Sequence, residues 1–135
     1  MSRFRFPLQP LLDHKYSVEA TLRAQAMRCK AAVVAAHEGL NALHEQLRAG
    51  DRAQDLRARA MRQHFVTDSI HRQNRIVTDC EAALASAHLR LRDAAKETMA
   101  LERLKQRRFE AHIEARERSE EAELDESNTR RNRMQ

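Results

Sequence analysis

The chain reads as all-α: a helical hairpin wound as a long two-helix antiparallel coiled coil, with the second helix the longer. Residues 51–135 contain no glycine and no proline, and the whole chain has only Gly39, Gly50, Pro7 and Pro10. Glycine costs about 1 kcal/mol in a helix interior and proline about 3, so their absence leaves the helix uninterrupted. Charged residues make up 33% and aromatics 4%, with no tryptophan, and alanine dominates the apolar supply. Such a composition suits a narrow seam between helices better than a broad core. High charge with few aromatics also marks unfolded chains, and it is the apolar periodicity that argues against disorder here.

The first helix is expected over about residues 8–48. Pro7 and Pro10 suit its first turn, where a missing N–H costs nothing. Its apolar stripe is traced through Leu8, Leu11, Val18, Leu22, Ala26, Cys29, Val33, Ala36, Leu40, Leu43 and Leu47. Steps of three and four alternate through most of this series as in a heptad seam, and two successive steps of four from Val18 to Ala26 read as a stutter. Arg48 and Gly50 make a sensible C-terminus, with a turn over 49–52. Asp51 offers an N-cap and Gln54 the partner of a capping box.

The second helix is expected over about 53–127. Its stripe is Val66, Ile70, Gln73, Val77, Cys80, Leu84, Ala87, Leu91, Ala94, Thr98, Leu101 and Lys105, in strict alternation of four and three. Gln73, Thr98 and Lys105 would lower stability while fixing register. Leu56, Met61 and Phe65 fall on no clean stripe, which predicts a frayed tip or a separate short helix. Past Leu101 the stripe is expected to drift through Lys105, Phe109 and Ile113, and residues 128–135 to form a disordered basic tail. A short connection makes the helices antiparallel, and the second overhangs the first.

The net charge of +5 lies wholly in residues 1–64, which carry eleven Lys/Arg against six Asp/Glu. Arg48, Arg52, Arg57, Arg59 and Arg62 crowd the expected turn. Such charge favours an acidic protein face, a phosphate backbone or an anionic membrane. Phe4, Phe6, Tyr16, Phe65 and Phe109 are too scattered for a base-stacking platform, and an arginine-rich solvated face is the plainer reading. A basic coiled-coil nucleic-acid binder and a generic structural coiled-coil dimer nonetheless stand as alternatives.

No metal site is expected. The pairs His37/His44 and His64/His71 are seven apart, not at the i, i+4 spacing of helical ligands, and Cys29 and Cys80 lack CxxC spacing. They read as buried thiols on the two stripes. No phosphate-cradling glycine loop or recognisable nucleophile context occurs, so the expectation is a protein without catalytic residues or cofactor. Asp13, His14 and Lys15 end the apolar run after Leu12, arguing against a secretory signal, and no membrane-spanning stretch is present. A cytoplasmic location is expected.

The two ends are the unusual segments. The start runs Phe4-Arg5-Phe6-Pro7-Leu8-Gln9-Pro10-Leu11-Leu12-Asp13, and an acidic cluster near the far end holds Glu123-Leu124-Asp125-Glu126. Here the chain resembles the FliJ family of flagellar type III export proteins, which open with a Phe-x-Phe-x-Leu-x-x-Leu-Leu-Asp pattern and close with Glu-Leu-Asp-Glu. Members are antiparallel coiled coils similar to the rotor stalk of rotary ATPases. The resemblance implies a stalk whose paired ends enter the hexameric export ATPase and promote its assembly and activity. Its turn end would face the membrane export gate, and export chaperones are further candidate partners. No nucleic acid or small-molecule substrate is implied. Carried onto this sequence, Phe4, Phe6, Leu8, Leu11, Leu12, Phe109 and Leu124 would contact the ATPase, and Arg52, Arg57, Arg59 and Arg62 the gate. The implied location is cytoplasmic and peripheral, at the inner-membrane base of the flagellum.

Overall fold

A computed structural model describes residues 3–50 and 56–134. It consists of two helices, α1 (Gln9–Gly50) and α2 (Leu56–Met134), packed as a helical hairpin with no strand among the described residues. The chain divides into two compact units, Val18–Ala94 and a terminal unit formed by Met1–Ser17 with Ala95–Gln135. The expected capping residues Asp51 and Gln54, and the second half of the expected turn with Arg52, lie outside the described residues.

α1 starts where the prolines direct it. The Gln9 N–H donates to the Phe6 carbonyl at 3.0 Å, and the Leu12 N–H closes the first helical bond on Leu8 at 2.9 Å. Pro10 then occupies the second helical position, where it forfeits no bond. At the other end α1 includes Gly50, so the helix runs two residues past its expected end, with Arg48 in its last turn.

In the middle unit the seam matches the expected stripes. Ala26, Ala36, Ile70, Val77 and Ala87 are buried, and Leu22, Cys29, Val33, Leu40, Leu43, Leu47, Val66, Cys80, Leu84 and Leu91 are half-buried around them. A polar layer crosses this seam. Gln73 Nε2 donates to the Ala36 carbonyl at 2.9 Å, reaching it over Gly39. A Cβ at Gly39 would stand 2.9 Å from that same nitrogen, so the glycine makes room for the amide. His37 Nε2 meets the Glu81 carboxylate at 3.0 Å on the flank. Cys29 and Cys80 are free thiols, and each sits one heptad from the Ala36–Gln73 contact.

The residues of the expected stutter, Val18, Leu22 and Ala26, are all half-buried or buried, and an unbroken heptad count runs beside them. Counting back from Ala26 in unbroken steps of four and three gives Leu22, Glu19, Lys15, Leu12 and Leu8, and all five are buried or half-buried. Leu12 is 1% exposed, whereas Leu11, assigned to the stripe from sequence, is 42% exposed. A search restricted to apolar residues misses Lys15 and Glu19, whose carbon stems line a seam while their charges reach its edge. The same holds in α2. Steps back from Val66 reach Gln63 and Arg59, both half-buried, while Leu56, Met61 and Phe65 point outward. Steps on from Lys105 reach Arg108, which is exposed, and His112, which is half-buried; of the expected drift positions, Ile113 is half-buried and Phe109 packs on Phe4.

α2 also outruns its expected end near 127 and stays helical through Met134, where a disordered tail was expected. Arg130 pairs with Glu126 at 2.8 Å and the Thr129 hydroxyl donates to the Asp125 carbonyl at 2.8 Å. Local i, i+4 pairs of this kind support a helix that contains no breaker.

Candidate functional site: the terminal unit

The terminal unit is assembled from the extended start of the chain, the first turns of α1 and the second half of α2. Phe6 is 5% exposed, with the Arg108 guanidinium 5.7 Å above its ring, close enough for a cation–π contact. The Phe4 ring meets Phe109 edge-on, with centroids 5.2 Å apart and planes at 77°, and lies 5.6 Å from His112. Offset and edge-to-face geometry is what the ring quadrupoles favour. Pro7 turns the chain between this cluster and α1, so that Leu8 and Leu12 continue along the seam.

Polar contacts extend the packing along both helices. The Lys15 ammonium donates to Glu97 at 2.6 Å, and the Tyr16 hydroxyl donates to Glu102 at 2.6 Å. Thr98 is buried at 3% exposure, with an interaction partner of its own. The hydrophobic part of the unit ends at Ile113, and every described residue from Glu114 to Met134 is exposed. This stretch is a single charged helix braced by Arg116–Glu120 at 3.3 Å and Arg118–Glu114 at 3.9 Å.

The residues singled out for partner contact therefore fall into two groups. Phe6 and Leu12 are spent inside the unit, and Phe4 and Leu8 are half-buried in it. Leu11, Phe109 at 41% exposure and Leu124 at 63% present apolar surface outward. The start of the chain is thus a clamp on α2, and the outward surface lies beside it. Sequence reasoning missed Arg108 and His112 because neither is apolar; their heptad spacing from Lys105 was the signal that could have found them.

In the middle unit, Arg57, Arg59 and Arg62 occupy the first turns of α2. Arg59 is half-buried, and both it and Arg57 have interactions of their own. Arg62 borders a groove of about 500 Å³ lined by Leu47, Met61, Phe65 and Val66. Arginine charge and exposed apolar surface therefore coincide at this end of the unit. Among the described residues no cluster of three or more His, Cys, Asp or Glu side chains forms a metal-like group, and no helix is long and apolar enough to cross a membrane.

No protein-family model, characterised protein or solved structure matches the chain at a significant level.

Proposed function

We propose that this protein is a stalk and adaptor of a flagellar-type export apparatus, acting without catalytic residues of its own. Its terminal unit engages the hexameric export ATPase and promotes ring assembly and hydrolysis. The arginine-rich start of α2, with Arg52 before it, faces the membrane export gate, and export chaperones bind the same protein. The observation that carries this reading is the terminal unit itself. The Phe-x-Phe segment clamps α2 at Phe109 and His112, and from there α2 continues as one bare helix bearing Glu123-Leu124-Asp125-Glu126. Both sequence motifs of the resemblance thus belong to one compact unit.

The physics suits a stalk. A ring of similar subunits must be met by something stiff, and a helix stitched by i, i+4 ion pairs keeps its shape with no partner along its length. Leu124, alone among acidic neighbours, and Phe109 supply apolar anchors, while Glu120, Glu121, Glu123 and Glu126 suit basic surfaces lining a channel.

The test is hydrolysis and ring formation by a flagellar export ATPase with and without this chain. Stimulation of both is expected, and Leu124→Asp or truncation after Ile113 should remove it with helicity of the remainder intact. Both changes leave the Phe4–Phe109 cluster whole. A folded full-length sample that changes neither hydrolysis nor ring formation refutes the proposal.

A further inference from the structure

We propose that the face of α1 opposite the seam, within the middle unit, is a docking surface for an amphipathic helix of a partner protein with acidic flanks. Ala20, Ala24, Met27, Ala31 and Val34 follow one another in steps of four, three, four and three. That is the spacing of a helix-packing stripe, and it lies two residues out of phase with the seam positions Leu22, Ala26, Cys29, Val33 and Ala36, which places it on the far side of the helix. All five of its residues are exposed, Met27 at 69% and Val34 at 51%. Helix propensity explains the alanines. It does not explain Val34, whose β-branch disfavours a helix, nor an exposed methionine in register with it. The bare part of α2 shows what a solvated face of this chain looks like, and it is densely charged.

The flanks choose the occupant. Positions beside the stripe hold Arg23, Arg28 and Lys30, and Arg23 is the one of them seen paired, with Glu19 at 3.1 Å. Two copies of this chain joined through the face would set these cations against one another in either orientation, which selects against a homodimer. A helix with Glu or Asp at its flanking positions would pair with all three. Because three of the five stripe residues are alanine, the partner backbone comes close, and large apolar side chains on the partner fill the space above them. From Ala20 to Val34 the stripe spans roughly 21 Å, about four turns of partner helix. Ser17 before it and Glu38 after it close the stripe at both ends. This inference stands independently of the stalk reading.

The test uses the full chain and three labelled helical peptides of about eighteen residues, long enough to fold on a surface. The first has Leu at heptad a and d positions with Glu at the flanks, the second has Lys at the flanks, and the third is the first one scrambled. Fluorescence anisotropy should show the acidic striped peptide binding at least tenfold tighter than the other two. The double variant Met27→Lys/Val34→Lys should weaken it at least tenfold with unchanged helicity. Should that variant lose its fold, Arg28→Glu/Lys30→Glu decides, since it keeps the stripe and should switch preference to the Lys-flanked peptide. Equal binding of the scrambled peptide would reduce the effect to bulk charge and overturn the proposal. So would binding that survives both variants, or self-association that disappears in the Met27/Val34 variant, which would make a second copy the occupant.

Discussion

The middle unit and the terminal unit use the same two helices in different ways. Val18–Ala94 is held by a repeating seam of mostly small and medium residues, and the Gln73 amide that crosses it is accommodated by a glycine. The terminal unit is held at a few points by large groups: Phe6 and Leu12 buried, Phe4 on Phe109, Arg108 on Phe6. Distributed packing tolerates the loss of one member, whereas a clamp does not. The middle unit has its register fixed by many small contacts, and the terminal unit by a few large ones.

If that contrast is right, the largest effects belong to the clamp. Phe6→Ala or Leu12→Ala should lower stability by roughly 3 kcal/mol, the scale for emptying a buried large side chain. Chemical denaturation measures the total, and hydrogen exchange of the Gln9–Ser17 amides reports whether the loss is local. Val77→Ala in the middle unit should cost about half as much, and an equal or larger cost there would break the contrast.

Next in size are two double-mutant cycles. Gly39→Ala gains about 1 kcal/mol of helix propensity but displaces the Gln73 amide, whose hydrogen bond contributes a similar amount. It should therefore be nearly neutral in the natural chain and stabilising by about 1 kcal/mol in a Gln73→Ala background. The Phe4/Phe109 pair should couple by about 1 kcal/mol, beyond the area each ring buries. Additivity in either cycle would mean that the contact does not organise its unit.

Smaller again is Lys15–Glu97, a partly exposed pair whose removal should cost no more than about 0.5 kcal/mol and less in high salt. At the bottom, truncation after Ile113 should leave the melting temperature of the remainder unchanged, because nothing from Glu114 to Met134 is buried. A fall of several degrees would show that the bare helix contributes to folding.

Much of the fold was legible in the residues. From Val66 to Lys105 every position assigned to the stripe is buried or half-buried, because an apolar residue every three or four positions has one low-energy arrangement against a second helix. Legibility failed at several polar seam positions, although Gln73, Thr98 and Lys105 were placed on the stripe. Lys15, Glu19, Arg59, Gln63 and His112 keep the heptad count and are half-buried, yet apolarity alone points past them, in α1 to Leu11, which is exposed. The candidate site was read more coarsely than the fold. Of the residues expected to meet a partner, Phe4 and Phe6 pack on Phe109, His112 and Arg108 of α2, and Leu12 is buried. Composition reports that an apolar side chain needs cover and does not report what covers it.

What the sequence determined by itself was the local order: two helices, their heptad phase over most of their length, and a charge distribution heavy in the first half. These follow from short-range rules, namely propensity, breakers and side-chain direction around one axis. Only the tertiary structure decided that Leu12 rather than Leu11 enters the seam, that Gly39 exists to admit Gln73, and that the aromatic start closes on Phe109 and His112. Each of those depends on residues brought together from distant parts of the chain, and the space left between two backbones is a property of the pair.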